Sequence, residues 1–359
     1  MGKKNFPFPI FDADGHVMED EDEIMKYMEG EYAGFERLKL FSIFPGVDGW
    51  SRGMIKMPTS GKPRSTKTDV EVWSEMLDDM GCEGSVLYPT AALSVGLMKD
   101  LPVANAVTNA YNNWLEDQYT RQDDRLLGVG LMAVQDPVSA ARELRRCAGD
   151  RKNFVAMMLP GGVTHPARTY GDEFFWPIYE AAQECDMPLA IHGGPSGGMG
   201  FDHFNSFEKI HTLSHPMGLQ IQLTDIIFSG VFDAFPKLRI AFLEGGCTWV
   251  PFMMDRLDYE YDSAFGRKAR ATLKKRPSEY IAEGDNFWVS PELGEKFLRY
   301  TIDAMGGADR LLYASDFPHE PAPDDIIGDI PNLLNHPGYT DEEKQWILGG
   351  AARRFYGLQ

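Results

Sequence analysis

Eight short apolar runs, each followed by an amphipathic stretch, constrain what this chain can fold into. The runs fall near residues 8–11, 84–88, 127–134, 154–159, 188–191, 238–243, 287–289 and 311–314. Helical patterns lie between them at about 70–80, 104–121, 137–148, 172–185, 215–228, 249–261 and 292–305, with a last one near 341–348. Start signals are local: Asp136 stands at an N-cap and Pro137 at the first helical position. The runs are continuously apolar rather than alternating, as in a parallel sheet covered on both faces. Eight such units point to an α/β fold, a (β/α)8 TIM-type barrel. The alternative is a doubly wound open sheet. Its marker is missing, because no G-x-G-x-x-G follows the first run.

One region breaks the rhythm. Residues 24–68 carry Gly46, Gly49, Gly53, Pro58, Gly61 and Pro63 among the aromatics Phe41, Phe44 and Trp50. That is too long for a simple connection. It reads as a long insertion after strand one, a lid or an oligomerisation arm within a single domain spanning 1–359. The exposed-looking aromatics lead us to expect a homo-oligomer, a dimer or larger.

Composition narrows the function classes. The formal net charge of −19 argues against nucleic acid or an anionic membrane surface as partner. Cys82, Cys147, Cys185 and Cys247 form no C-x-x-C pair, so neither a zinc knot nor a disulfide scaffold is expected. Residues 1–7 hold no apolar signal core, and no 18-residue apolar run occurs. The expectation is a cytoplasmic protein acting on a small molecule.

In a barrel, chemistry gathers where strands end. Asp14 and His16 close the first run two residues apart, so both leave the strand on one face. His192 follows the fifth run, Glu244 the sixth and Asp316 the eighth. Each has a bland reading: a core histidine, a salt-bridge carboxylate, a turn cap. Five carboxylate and imidazole donors at four strand exits instead point to one divalent metal ion held among Asp14, His16, His192, Asp316 and Glu244.

Several segments then carry a resemblance. They are Asp12-Ala13-Asp14-Gly15-His16, Pro188-Leu189-Ala190-Ile191-His192 and Ser229-Gly230-Val231-Phe232-Asp233-Ala234-Phe235-Pro236-Lys237-Leu238. Further on come Leu243-Glu244-Gly245-Gly246, Tyr313-Ala314-Ser315-Asp316-Phe317-Pro318-His319 and the closing Gly349-Gly350-Ala351-Ala352-Arg353-Arg354-Phe355-Tyr356-Gly357. From residue 10 to the C-terminus the chain resembles the amidohydrolase-related branch of the amidohydrolase superfamily. That branch also contains the aminocarboxymuconate-semialdehyde decarboxylase-like enzymes. The resemblance implies a metal-dependent barrel enzyme with ligands at the ends of strands one, five and eight, here Asp14, His16, His192 and Asp316. Two departures matter. Many relatives open with H-x-H or E-x-H; Asp14 makes this site harder, so Mn²⁺ and Fe²⁺ stand beside Zn²⁺. The decarboxylases carry a catalytic histidine at the end of strand six, where this chain has Glu244, a metal ligand or a general base. His215, read as lying just before a helix, is a candidate replacement.

The leading expectation is a metal-dependent hydrolase. Metal-activated water, with a pKa near about 7, would be oriented or deprotonated by Asp316. It would displace an amine, halide, nitrite or carbon fragment from a small cyclic or aromatic substrate. The alternative is non-oxidative decarboxylation of an aromatic or unsaturated carboxylic acid, with Arg52, Lys56, Arg64 or Arg168 available for the carboxylate. A non-catalytic binding barrel is the third reading. Substrate contacts are expected from His319, Trp50 and Phe317, with Phe201, Phe204 and Trp288 as further aromatics.

Overall fold

The structure is a computed structural model and describes residues 6–34, 42–46, 69–150, 153–164, 167–194, 199–319 and 323–358. Seven strands form one sheet: β1 (Ile10–His16), β2 (Cys82–Tyr88), β3 (Leu126–Gly130), β4 (Phe154–Pro160), β5 (Leu189–His192), β6 (Ile240–Leu243) and β7 (Phe287–Val289). They lie side by side in chain order, every neighbouring pair parallel. A two-stranded ribbon, Val163–Thr164 with Ala167–Arg168, follows β4.

The eighth apolar run is not a regular strand. Leu311 makes a single parallel bridge to Val289. Leu312 N donates to Val289 O at 2.9 Å, while Ala13 N donates to Tyr313 O at 2.8 Å. The segment therefore bonds to β7 on one side and β1 on the other, and the curled sheet is consistent with a TIM-type barrel.

Helices pack outside. Among them are α1 (Asp69–Met80), α2 (Leu101–Leu115), α3 (Pro137–Asp150), α4 (Trp176–Glu184), α5 (Phe207–Phe228), α6 (Trp249–Asp262), α7 (Leu298–Met305), α8 (Pro323–Asn335) and α9 (Ala351–Tyr356). Amphipathic spacing explains their seating: α1 turns Trp73, Met76, Leu77 and Met80 inward. The strands are mostly apolar because both faces are covered, and all seven positions of β1 are buried, Asp12, Asp14 and His16 among them.

Two helix starts differ most from expectation. α5 begins at Phe207 and runs through Pro216, so His215 sits inside the helix rather than before it. Pro216 has the look of a helix start. Continuous burial of Ile210, Ser214, Leu219 and Leu223 carries the helix across the missing N–H instead. α7 begins six residues later than its pattern suggested, because residues 290–297 form the turn that carries Glu295. α8 follows the eighth run with no sequence signal singled out for it. Of the region expected to be an insertion, only residues 24–34 and 42–46 are described; Trp50, Arg52, Lys56 and Arg64 lie outside the described residues. Among the described residues, no helix is long and apolar enough to cross a membrane.

Candidate metal centre

β1 delivers the first donors. Asp14 and His16 are buried, at 1% and 0% exposure. His16 Nδ1 lies 2.8 Å from Pro89 O, so it carries the ring hydrogen and leaves the Nε2 lone pair facing inward. That Nε2 stands 3.6 Å from Asp14 Oδ1 and 3.3 Å from Asp316 Oδ1. At the end of β5, His192 Nδ1 lies 2.7 Å from Gly193 O, and Nε2 stands 3.5 Å from Asp14 Oδ2. The two imidazole planes are nearly perpendicular, 87° apart with centroids at 4.9 Å.

These contacts leave buried polar atoms unpaired. Asp14 Oδ1, His16 Nε2 and His192 Nε2 have no hydrogen-bond partner among the described residues. Three buried donor atoms aimed at one another are costly. A cation between them satisfies all three, and mixed carboxylate and imidazole donors suit Zn²⁺, Mn²⁺ or Fe²⁺. The donor atoms of Asp14, His16 and His192 lie within 4.8 Å of one another. A second group within the same limit joins His16 to Glu244, Asp316 and His319.

Glu244 and Asp316 reach this group by unusual backbone. Glu244 follows the end of β6 and Asp316 the eighth segment, both with left-handed φ, 55° and 51°. Non-glycine residues adopt that region rarely, and held strain of this kind clusters at functional sites. Glu244 Oε2 stands 3.3 Å from His192 Nδ1 and 3.5 Å from His215 Nε2. His319 Nδ1 is 2.7 Å from Asp316 Oδ1 and 3.9 Å from Glu244 Oε1. Asp14, His16, His192, His215, Glu244, Asp316 and His319 thus meet in one bowl, as expected from the sequence. Phe317 is buried with its ring edge-on to Trp73 at 4.9 Å. Trp288 is fully buried, and Arg168 is paired with Asp172.

Charge in the bowl is finely divided. Burial and the Asp316 charge push the Glu244 carboxyl up to about 7. Burial also raises Asp14 above the usual carboxylate range. Burial, helped by neighbouring histidines, holds His16 well below its ordinary value and His215 down at about 3. For His192 burial pulls downward, yet the Asp14 and Glu244 charges bring it to about 9. For His319 the same opposition, won by Asp316 and Glu244, gives about 10. Positive charge is thus drawn to the carboxylate oxygens, and a bound cation supplies it without a proton.

Three acids outside the expected set hold these donors in place. Asp12 is fully buried and accepts from Ser85 Oγ at 2.6 Å, Ser315 Oγ at 2.7 Å and Ser315 N at 2.8 Å. It shares its strand face with Asp14 and His16, which was a legible signal. Glu19 and Glu295 each accept backbone N–H groups of a strand-exit loop, Thr90 to Ala92 and Cys247 to Thr248 respectively. Neither stands in a pattern that sequence spacing alone marks.

The model of the family described as amidohydrolase matches residues 86–358. The chain belongs to that family. It is similar to the gamma-resorcylate decarboxylase of Polaromonas sp., 28% identical over 293 residues, covering 79% of this chain and 86% of the relative. The solved 5-carboxyvanillate decarboxylase of Sphingomonas paucimobilis superposes with a TM-score of 0.72 at 25% identity, covering 98% of this chain and 99% of that one. The 5-carboxyvanillate decarboxylase of Novosphingobium aromaticivorans, solved with manganese and 4-hydroxy-3-methoxy-5-nitrobenzoic acid, shares the fold with a TM-score of 0.72 at 23% identity, covering 98% and 97%. These relatives correct the expectation of hydrolytic displacement. Residue types at strand ends did not separate the two chemistries; the similar proteins named above are decarboxylases.

Proposed function

We propose that this protein is a metal-dependent, non-oxidative decarboxylase of an aromatic or unsaturated carboxylic acid. One observation carries the reading: Asp14, His16 and His192 aim buried, unpaired donor atoms at a common point, in a chain similar to decarboxylases. In this reading Asp14, His16, His192 and Asp316 hold one divalent ion. The oxygen donors, and the manganese of the related structure, make Mn²⁺ the first ion to test. The chain is then a complete (β/α)8 barrel in one domain, with 24–68 inserted after β1.

When bound, the ion polarises substrate oxygen and stabilises the charge that builds up as the carboxylate bond breaks. The rest falls to side chains. The bond between the ring or alkene carbon and the carboxylate breaks, CO₂ leaves, and that carbon takes a proton. Glu244, raised to about 7, is shared between its two protonation states at neutral pH, and its protonated form delivers the proton across the bowl. His215 Nε2, 3.5 Å from Glu244 Oε2, orients that carboxyl. His319 steadies Asp316 from its far side.

The test is CO₂ release from hydroxybenzoates by the Mn²⁺-loaded protein in D₂O. The expected product carries one deuterium at the vacated carbon. No CO₂ from any member of a broad panel, with metal demonstrably bound, would sink the reading.

A further inference from the structure

The loop leaving β2 holds two histidines of the site at once. Pro89 O accepts from His16 Nδ1 at 2.8 Å, and Thr90 Oγ1 lies 2.8 Å from His319 Nε2. The single hydroxyl proton of Thr90 goes to Val17 O at 2.8 Å. Toward His319 the hydroxyl is therefore an acceptor, and Nε2 carries hydrogen. On its other side His319 Nδ1 meets Asp316 Oδ1 at 2.7 Å. The ring is gripped at both nitrogens.

The grip depends on a carboxylate outside the bowl's donor set. Glu19 accepts from the backbone N–H of Thr90 at 3.0 Å, Ala91 at 3.0 Å and Ala92 at 2.9 Å. These groups open the 3-10 turn Ala91–Leu97, whose first N–H groups have no partner within the turn itself. Bonds to an ionised acceptor are the stronger kind. Val17 N also donates to Tyr88 O at 2.8 Å, stitching the exits of β1 and β2 together. Glu19 thus sets where Thr90 stands, and Thr90 sets which way His319 faces. Without that hydroxyl, His319 is held by Asp316 alone, with Glu244 Oε1 3.9 Å away as a competing acceptor.

We propose that Glu19 and Thr90, which are not metal donors themselves, are positioning residues that act through His319 to aim the Asp316 carboxylate. This rests on the reading of Asp316 as part of the reacting centre. Misaiming a group in a site of this kind lowers turnover more than substrate binding.

The test compares Thr90→Val, which keeps shape and loses the hydroxyl, with Thr90→Ser, which restores it, and with Glu19→Gln. Each protein is loaded with Zn²⁺ and labelled with ¹⁵N-histidine for NMR, and its metal-to-protein ratio is measured. The wild type and Thr90→Ser should show a protected Nε2–H signal of His319, and Thr90→Val should lose it at an unchanged metal ratio. With Mn²⁺ and substrate, kcat of Thr90→Val should fall roughly tenfold to a hundredfold with KM little changed. Thr90→Ser should recover most of it, and Glu19→Gln should fall likewise, because its amide opposes a backbone N–H. A Thr90→Val protein that keeps the Nε2–H signal, or that loses activity only in step with lost metal, overturns the proposal. Absence of turnover in the wild type would instead defeat the decarboxylase reading, while the NMR and metal ratio still decide this one.

Discussion

Replacing Asp12 with alanine tests whether a buried carboxylate outside the donor set holds the metal centre together. Asp12 accepts from Ser85 Oγ, Ser315 Oγ, Ser315 N and, at 3.3 Å, Asp14 N. It thereby ties β1 and β2 to the segment that carries Asp316. Burial lifts its carboxyl from 3.8 to about 6 against the hydrogen bonds from Ser85 and Ser315. At 1.36 kcal/mol per pKa unit the ionised form is penalised by about 3 kcal/mol at neutral pH. Asp12→Ala removes that penalty but strands the three donors bonded at 2.8 Å or less, Ser85 Oγ, Ser315 Oγ and Ser315 N, at about 1–3 kcal/mol each. The net loss is roughly 0–6 kcal/mol, centred near about 3, a Tm drop on the order of 4 °C for a chain of this size. Asp12→Asn keeps the shape and sheds the charge, so it should melt within about 1 °C of the wild type at pH 7.

The sign with pH follows from the raised value. Asp12 favours folding most while protonated, below about 4, and that contribution is lost as pH rises through about 6. The Asn variant should therefore gain on the wild type between pH 4 and 7. Both variants should bind Mn²⁺ about 10–100-fold more weakly, as expected when a group behind the ligands is removed. The assays are calorimetry across pH and chelator competition. An Asp12→Ala protein that melts and binds Mn²⁺ like the wild type would refute the clamp.

Other outcomes follow from the same geometry. Asp316→Asn should abolish turnover while leaving the melting curve in place; near-normal CO₂ release would remove Asp316 from the chemistry. Glu244→Gln should keep the metal and slow CO₂ release, so metal loss on dialysis would make Glu244 a ligand rather than the proton carrier. At the surface, burial raises Asp123, but hydrogen bonds from Arg125 outweigh it and hold the carboxyl at about 2. That pair should contribute roughly 1–2 kcal/mol after solvent screening, fully present above about 4 and lost as pH falls toward 2. The Tm gap between wild type and Asp123→Asn should narrow on acidification.

What could be read in the sequence was what short-range periodicity encodes. A strand repeats every two residues, so Asp14 and His16 had to share a face, with Asp12 beside them. Apolar runs mark buried parallel strands, so His192, Glu244 and Asp316 could be placed at strand exits before any contact was known. Pro216 misled because a helix-start signal is a local preference, and burial of the α5 face outweighs it. The choice between hydrolysis and decarboxylation was illegible, because both are served by such donors; similarity to known decarboxylases is what supports the proposed reading.

The sequence by itself determined the strand–helix order, the polar residues at the strand ends and the kind of ion they suit. Only the tertiary structure decided how they are aimed. Glu19 meets Thr90 across 71 positions, Thr90 meets His319 across 229 and Asp12 meets Ser315 across 303. Curling the sheet brings the eighth segment back to β1, and contacts made that way leave no periodic trace in the chain. Left-handed turns at Glu244 and Asp316 do the remaining aiming, because they are held by the packing around them rather than preferred by the residues themselves.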